Sequence, residues 1–138
     1  MKLKELSLND IKVGDVASFT RIFTEKDVND FAKLSGDENP LHTDEVYALT
    51  TKFKQRLVHG MLVGSLCSTL VGMYLPGKRC LYLSQTLFFK NPVFINDELV
   101  VTGTVKSKSV STGILEILIS IKKDLETVLE GIACVQLI

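Results

Sequence analysis

The chain lacks an excess charge of either sign, a cysteine framework, an apolar run of bilayer length and more than a few prolines, and each shortage removes a class of function. Lys+Arg and Asp+Glu number 16 each in 138 residues, so nothing suggests a field strong enough to gather nucleic acid or an anionic membrane nonspecifically. Cys67, Cys80 and Cys134 are odd in number, scattered and without CxxC spacing, which reads as reduced thiols in a reducing compartment rather than disulfides. The opening Met1-Lys2-Leu3-Lys4-Glu5-Leu6-Ser7-Leu8 holds no apolar core of signal-peptide length. The longest weakly polar run, residues 62–75, is interrupted by Ser65, Ser68 and Thr69 and falls short of the ~20 residues a bilayer requires. Cytoplasm or an organelle matrix is the expected location. With 46% hydrophobic residues, 23% charged and three prolines, the composition is that of an ordinary globular protein, and the length suits one domain over residues 1–138.

What the sequence does contain is two short polar islands that hold its two histidines. The first is Ser35-Gly36-Asp37-Glu38-Asn39-Pro40-Leu41-His42, and the second is Arg56-Leu57-Val58-His59-Gly60-Met61. The first sets a carboxylate and an imidazole five residues apart across a Gly/Asn/Pro turn. Pro40 pushes Asn39 toward extended geometry, so both side chains can fold toward one water, and Asn39 can pin the turn with its own hydrogen bonds. A histidine titrates near neutrality and a partly buried carboxylate can be raised toward it, which suits proton exchange with that water. The second island places a His-Gly step at the head of a long apolar, small-residue segment.

Around the islands the pattern predicts an α+β domain. Residues 16–23 alternate and read as a strand. Thr24 N-caps a helix that Gly36 stops, and Thr43 or Asp44 caps a second short helix. Residues 60–74 are apolar or small on almost every side, as in a helix surrounded by protein, and Pro76-Gly77 ends it. Residues 80–90, 98–110, 114–123 and 127–137 read as four further strands separated by turn signals. In Leu115, Ile117, Ile119 and Ile121 the alternation is clean, so one sheet face needs an apolar cover, and only the 60–74 helix can supply it. The expected architecture is a curved five-stranded antiparallel sheet wrapped around one long central helix, with the two-helix segment 24–56 outside the wrap. Its open edges favour a homodimer.

The run Phe31-Ala32-Lys33-Leu34-Ser35-Gly36-Asp37-Glu38-Asn39-Pro40-Leu41-His42-Thr43-Asp44, followed by Arg56-Leu57-Val58-His59-Gly60-Met61-Leu62, resembles the hydratase 2 motif of the MaoC-like, R-specific enoyl-CoA hydratases. The likeness continues through Leu75-Pro76-Gly77-Lys78 and Phe89-Lys90-Asn91-Pro92-Val93. It implies a hot-dog fold and a dimer acting on acyl thioesters of CoA, or of acyl carrier protein, without metal or nucleotide cofactor. It implies catalytic roles for Asp37 and His42, a main-chain N–H at Gly60 for the thioester carbonyl, and a supporting role for Ser68.

These residues suit the implied chemistry. Adding water to an enoyl thioester needs a base for the water, a proton for the α-carbon and a donor for the enolate oxygen. Asp37 and His42 serve the first two, and one water between them predicts syn addition. Gly60 at a helix N-terminus offers an unpaired N–H and the positive dipole end. Other roles are weaker. His59 reads as a packing or helix-start residue, Ser68 as a helix hydroxyl bonding the turn before it, and Lys52, Lys54 and Arg56 as a solvated basic face rather than a phosphate site. A metal site from the histidines and a cysteine lacks ligand spacing. Two other functions share the fold: a thioesterase, in which water attacks the carbonyl instead, and a noncatalytic acyl-thioester-binding subunit.

Overall fold

Four consecutive inward positions on one strand set the core. Leu115, Ile117, Ile119 and Ile121 are completely buried, and each such side chain contributes roughly 1.5–3 kcal/mol by leaving water. In the computed structural model, which describes residues 2–138, they lie on β5 (Ile114–Lys123). That strand is flanked by β4 (Glu98–Ser109) and β6 (Glu126–Leu137). Beyond them lie β1 (Val16–Ile22) and β2 (Cys80–Gln85), giving the antiparallel order β1-β4-β5-β6-β2.

The expected 80–90 strand is divided. After β2, the chain resumes pairing with β6 only at β3 (Phe88–Phe89), so the sheet has six strands rather than five. The register is the same on both sides, Gln85 opposite Ala133 and Phe88 opposite Glu130. In the gap Thr86 Oγ1 accepts from the Ile132 N–H at 2.9 Å. Leu87 turns inward, where its side chain would stand 3.1 Å from a Cβ on Gly64. Alternation alone does not reveal a break that keeps register.

The helix under the sheet is α4 (Gly60–Thr69), whose Leu62, Val63, Leu66 and Cys67 are buried. Burial pushes the Cys67 thiol up to about 11. The expected 60–74 helix is present but changes type. From Leu70 to Tyr74 it widens into a π turn, in which the Leu75 N–H reaches the Leu70 carbonyl at 3.0 Å. Leu70 is fully buried against Gly103 of β4, where no other residue leaves room.

Segment 24–56 lies outside this wrap as expected, with one addition. Thr24 caps α1 (Glu25–Ser35) through a capping box with Asp27, and Gly36 closes it in the left-handed region at φ 80°. Asp44 caps α3 (Glu45–Thr50). Between them Pro40–Thr43 forms a single helical turn, α2, because Asn39 accepts from the Leu41 N–H at 2.9 Å and Pro40 occupies the first helical position. His42 therefore stands on a helix rather than in an open turn. Among the described residues no helix is long and apolar enough to cross a membrane.

Candidate active site

The first island is folded by its own side chains. Ser35 Oγ donates to the Phe31 carbonyl at 2.7 Å and accepts from the Asp37 N–H at 3.2 Å. Asp37 Oδ1 in turn accepts from the Asn39 N–H at 3.2 Å. Asn39 thus pins the turn as the sequence suggests, and α2 carries His42 back over Asp37. Where the sequence reading expects partial burial, Asp37 is exposed; His42 is half-buried.

The second island runs beside the first. The Leu57 N–H donates to the Leu41 carbonyl at 3.2 Å, and Val58 is tied to Val93 at 2.8 Å. His42 Nδ1 lies 2.9 Å from the Leu57 carbonyl oxygen. A carbonyl only accepts, so Nδ1 carries the hydrogen, and Nε2 is the nitrogen that can take a proton.

Beneath this pair sits His59, 2% exposed. Its Nε2 donates to the main-chain carbonyl of Asp37 at 2.9 Å. Its ring stacks on His42 with centroids 3.9 Å apart and meets the edge of Phe31 at 4.9 Å. Burial holds His59 below the ordinary histidine range, opposed in part by its bond to the Asp37 carbonyl.

One carboxylate oxygen of Asp37 and one ring nitrogen from each of His42 and His59 lie within 4.8 Å of one another. The grouping does not suit a metal ion. The two rings stack at 26° with centroids 3.9 Å apart, so their lone pairs lie in nearly parallel planes, whereas a tetrahedral ion needs them to converge.

Arg56, on the basic stretch considered for phosphates, is buried instead. Its Nε donates to the His42 carbonyl at 2.6 Å, Nη1 to Glu25 at 2.9 Å and Nη2 to Asn29 at 2.6 Å. The guanidinium locks α2 to α1 and, at 9% exposure, is not a free surface cation for a phosphate. Sequence reasoning misses this because its partners lie 14, 31 and 27 residues away.

His42 and Gly60 share a cavity of about 310 Å³, walled by Phe53, Leu57, Val63, Phe89 and Val128 among others. At the head of α4, His59 supplies the carbonyl that both the Leu62 and Val63 N–H groups use. The N–H groups of Gly60 and Met61 thus have no partner within the helix. A Cβ at Gly60 would stand 3.0 Å from the Phe89 ring, so a larger residue would press on the cavity wall beside the helix end.

Ser68 is not brought to this group within the protomer. It lies on the third turn of α4, exposed and outside the cavity lining. Eight residues of helix carry it about 12 Å along the axis from Gly60. The expected support of Asp37 or His42 by its hydroxyl is absent from the hydrogen bonds of the described residues.

Similar proteins share this arrangement of chain. An (R)-specific enoyl-CoA hydratase of Aeromonas caviae is 44% identical over 111 residues, covering 78% of this chain and 83% of that one. A mitochondrial 3-hydroxyacyl-[acyl-carrier-protein] dehydratase of Arabidopsis thaliana is 45% identical over 89 residues, covering 64% of this chain and 52% of that one. The solved structure of an R-hydratase from Pseudomonas aeruginosa in its unliganded form superposes with a TM-score of 0.93 at 35% identity, covering 98% of this chain and 87% of that one. The sequence profile of the MaoC like domain matches residues 10–123. With the wrapped helix and the motif-bearing turn in place, the chain belongs to the MaoC-like domain family.

Proposed function

We propose that the protein is an R-specific enoyl-thioester hydratase, adding water reversibly to trans-2-enoyl thioesters to give R-3-hydroxyacyl thioesters. The observation that carries this reading is the His42 ring, which is fixed at Nδ1 by the Leu57 carbonyl, lines one cavity with Gly60 and stands close to the exposed Asp37 carboxylate at its margin.

In the forward direction a water sits between the Asp37 carboxylate and His42 Nε2. Asp37 accepts one of its hydrogens and orients it. His42 takes the other as the water oxygen bonds to C3 of the enoyl group. The alkene electrons move onto the thioester oxygen, forming an enolate held by the Gly60 N–H at the positive end of α4. The enolate then takes the proton back from His42 at C2. One water is consumed, its hydroxyl and proton are delivered from one side, and the addition is syn. The apolar cavity wall receives the acyl chain, and no metal or nucleotide takes part. Relatives named for CoA and for acyl carrier protein substrates support a thioester of either carrier.

The working unit is a homodimer. β2 ends the sheet and exposes Leu81, Tyr82 and Leu83, with Phe88 and Phe89 of β3 beside it. On α4, Met61, Ser65 and Ser68 form an exposed stripe at helical spacing. A second copy paired through this edge would cover both.

Incubation with crotonyl-CoA tests the activity. Loss of enoyl absorbance without free thiol is the expected result. Release of CoA thiol would assign the cavity to a thioesterase.

A further inference from the structure

His59 touches both members of the pair that handles protons without reaching the cavity itself. Its Nε2–H grips the main-chain carbonyl of Asp37 from 22 residues away. On the amino side the same residue is held only by the local Ser35 turn. The flat face of the His59 ring lies against His42 at 3.9 Å, while the edge contact with Phe31 backs it from α1. The Leu57 carbonyl fixes one atom of the His42 ring, and a ring fixed at one atom can still tilt about that bond. Stacking removes the tilt.

The charge state of His59 suits this task. Nδ1 is buried and meets no protein partner. A proton there would place an N–H with nothing to donate to in a site that already disfavours charge. The charged or titratable groups nearest it are His42, Asp37 and Arg56, of which Asp37 alone favours the imidazolium. A neutral His59 therefore leaves His42 as the imidazole of the stacked pair that gains and loses the proton.

We propose that His59 is a positioning residue of the hydration site, tying the Asp37 main chain to the plane of the His42 ring so that both address one water. The proposal rests on the hydratase reading. Misplacing a reacting group by about 1 Å lowers turnover on the order of 10²-fold.

The test is steady-state crotonyl-CoA hydration by the full chain carrying His59→Ala, His59→Phe or His59→Gln, each checked for folding by circular dichroism. His59→Ala is expected to lower kcat by about 10²-fold with KM within about threefold of wild type. His59→Gln, which restores a donor toward the Asp37 carbonyl, should recover at least tenfold of that loss, and His59→Phe, which restores only the stacked ring, should recover less. Equal kcat values in the Ala and Gln variants, or wild-type kcat in the Ala or Phe variant, overturn the proposal. Should the variants fail to fold, the ¹⁵N spectrum of the wild-type imidazoles decides. A neutral, Nε2-protonated His59 at pH 7 supports the role, and an imidazolium or the Nδ1–H tautomer overturns it. A wild type that does not hydrate removes the hydratase reading and this role together, whereas an active wild type beside equally active variants removes the role alone.

Discussion

Asp37 and His42 lie five residues apart, and the hydrogen bonds within their turn are almost all local. Ser35 to Asp37, Asp37 to Asn39 and Asn39 to Leu41 each span two residues. That is why the pair is legible in sequence: turn chemistry of this kind is written in the residues that make it. Arg56 and the packing of His59 are not legible, since their partners come from α1 and from the opposite island. Asp37→Asn and His42→Ala should each lower hydration by about 10²-fold or more. Both should leave the circular dichroism spectrum unchanged, because Asp37 is exposed and His42 half-buried. His59 adds a stability signature. Its folded-state pKa is depressed from the ordinary value near 6.5, so the unfolded chain binds the extra proton first as pH falls. Its stabilising contribution is complete above about 6.5 and is lost progressively as the pH falls toward the lower folded value. Chemical denaturation at a series of pH values should show this acid slope in the wild type and a shallower one in His59→Phe.

At the scale of elements, the clean alternation of β5 predicts its buried face residue for residue, because a period of two leaves one solution once a core exists. The breaks follow tertiary rules instead. The π turn at Leu70–Tyr74 accompanies the burial of Leu70 over Gly103, and the interruption between β2 and β3 accompanies the inward turn of Leu87 over Gly64. Neither glycine announces its neighbour in sequence. The same gap makes Gly131 costly to replace: a Cβ there collides with the Thr86 backbone carbonyl, which retreats less readily than a flexible side chain would. Gly131→Ala should therefore destabilise the protein by about 1–3 kcal/mol, read as a lower denaturant midpoint. Unchanged stability would show that the β2–β3 connection yields easily. Gly113→Ala is a useful contrast, since there the strain comes from a φ of 72° rather than from crowding.

At the scale of the whole molecule, the wrap of sheet around helix leaves one side unfinished. Leu81, Tyr82 and Leu83 stand exposed on the sheet edge, and Met61 is 61% exposed on the helix that the sheet encloses. Burying such an edge against a second copy satisfies its free backbone groups and covers its apolar side chains together. Leu83→Asp should shift sedimentation from dimer to monomer, and a wild type that sediments as a monomer at micromolar concentration would remove the dimer from the account. In the proposed reaction one water, held by Asp37 and His42 against an enoyl group whose carbonyl rests on Gly60, gives up its hydroxyl and its proton on one face. Hydration of crotonyl-CoA in D₂O, followed by NMR and chiral analysis of the 3-hydroxybutyryl product, reads this directly. The predicted product has the R configuration at C3, with deuterium at C2 delivered syn to the hydroxyl; anti delivery would contradict the single-water mechanism, and an S product would contradict the R-specific reading.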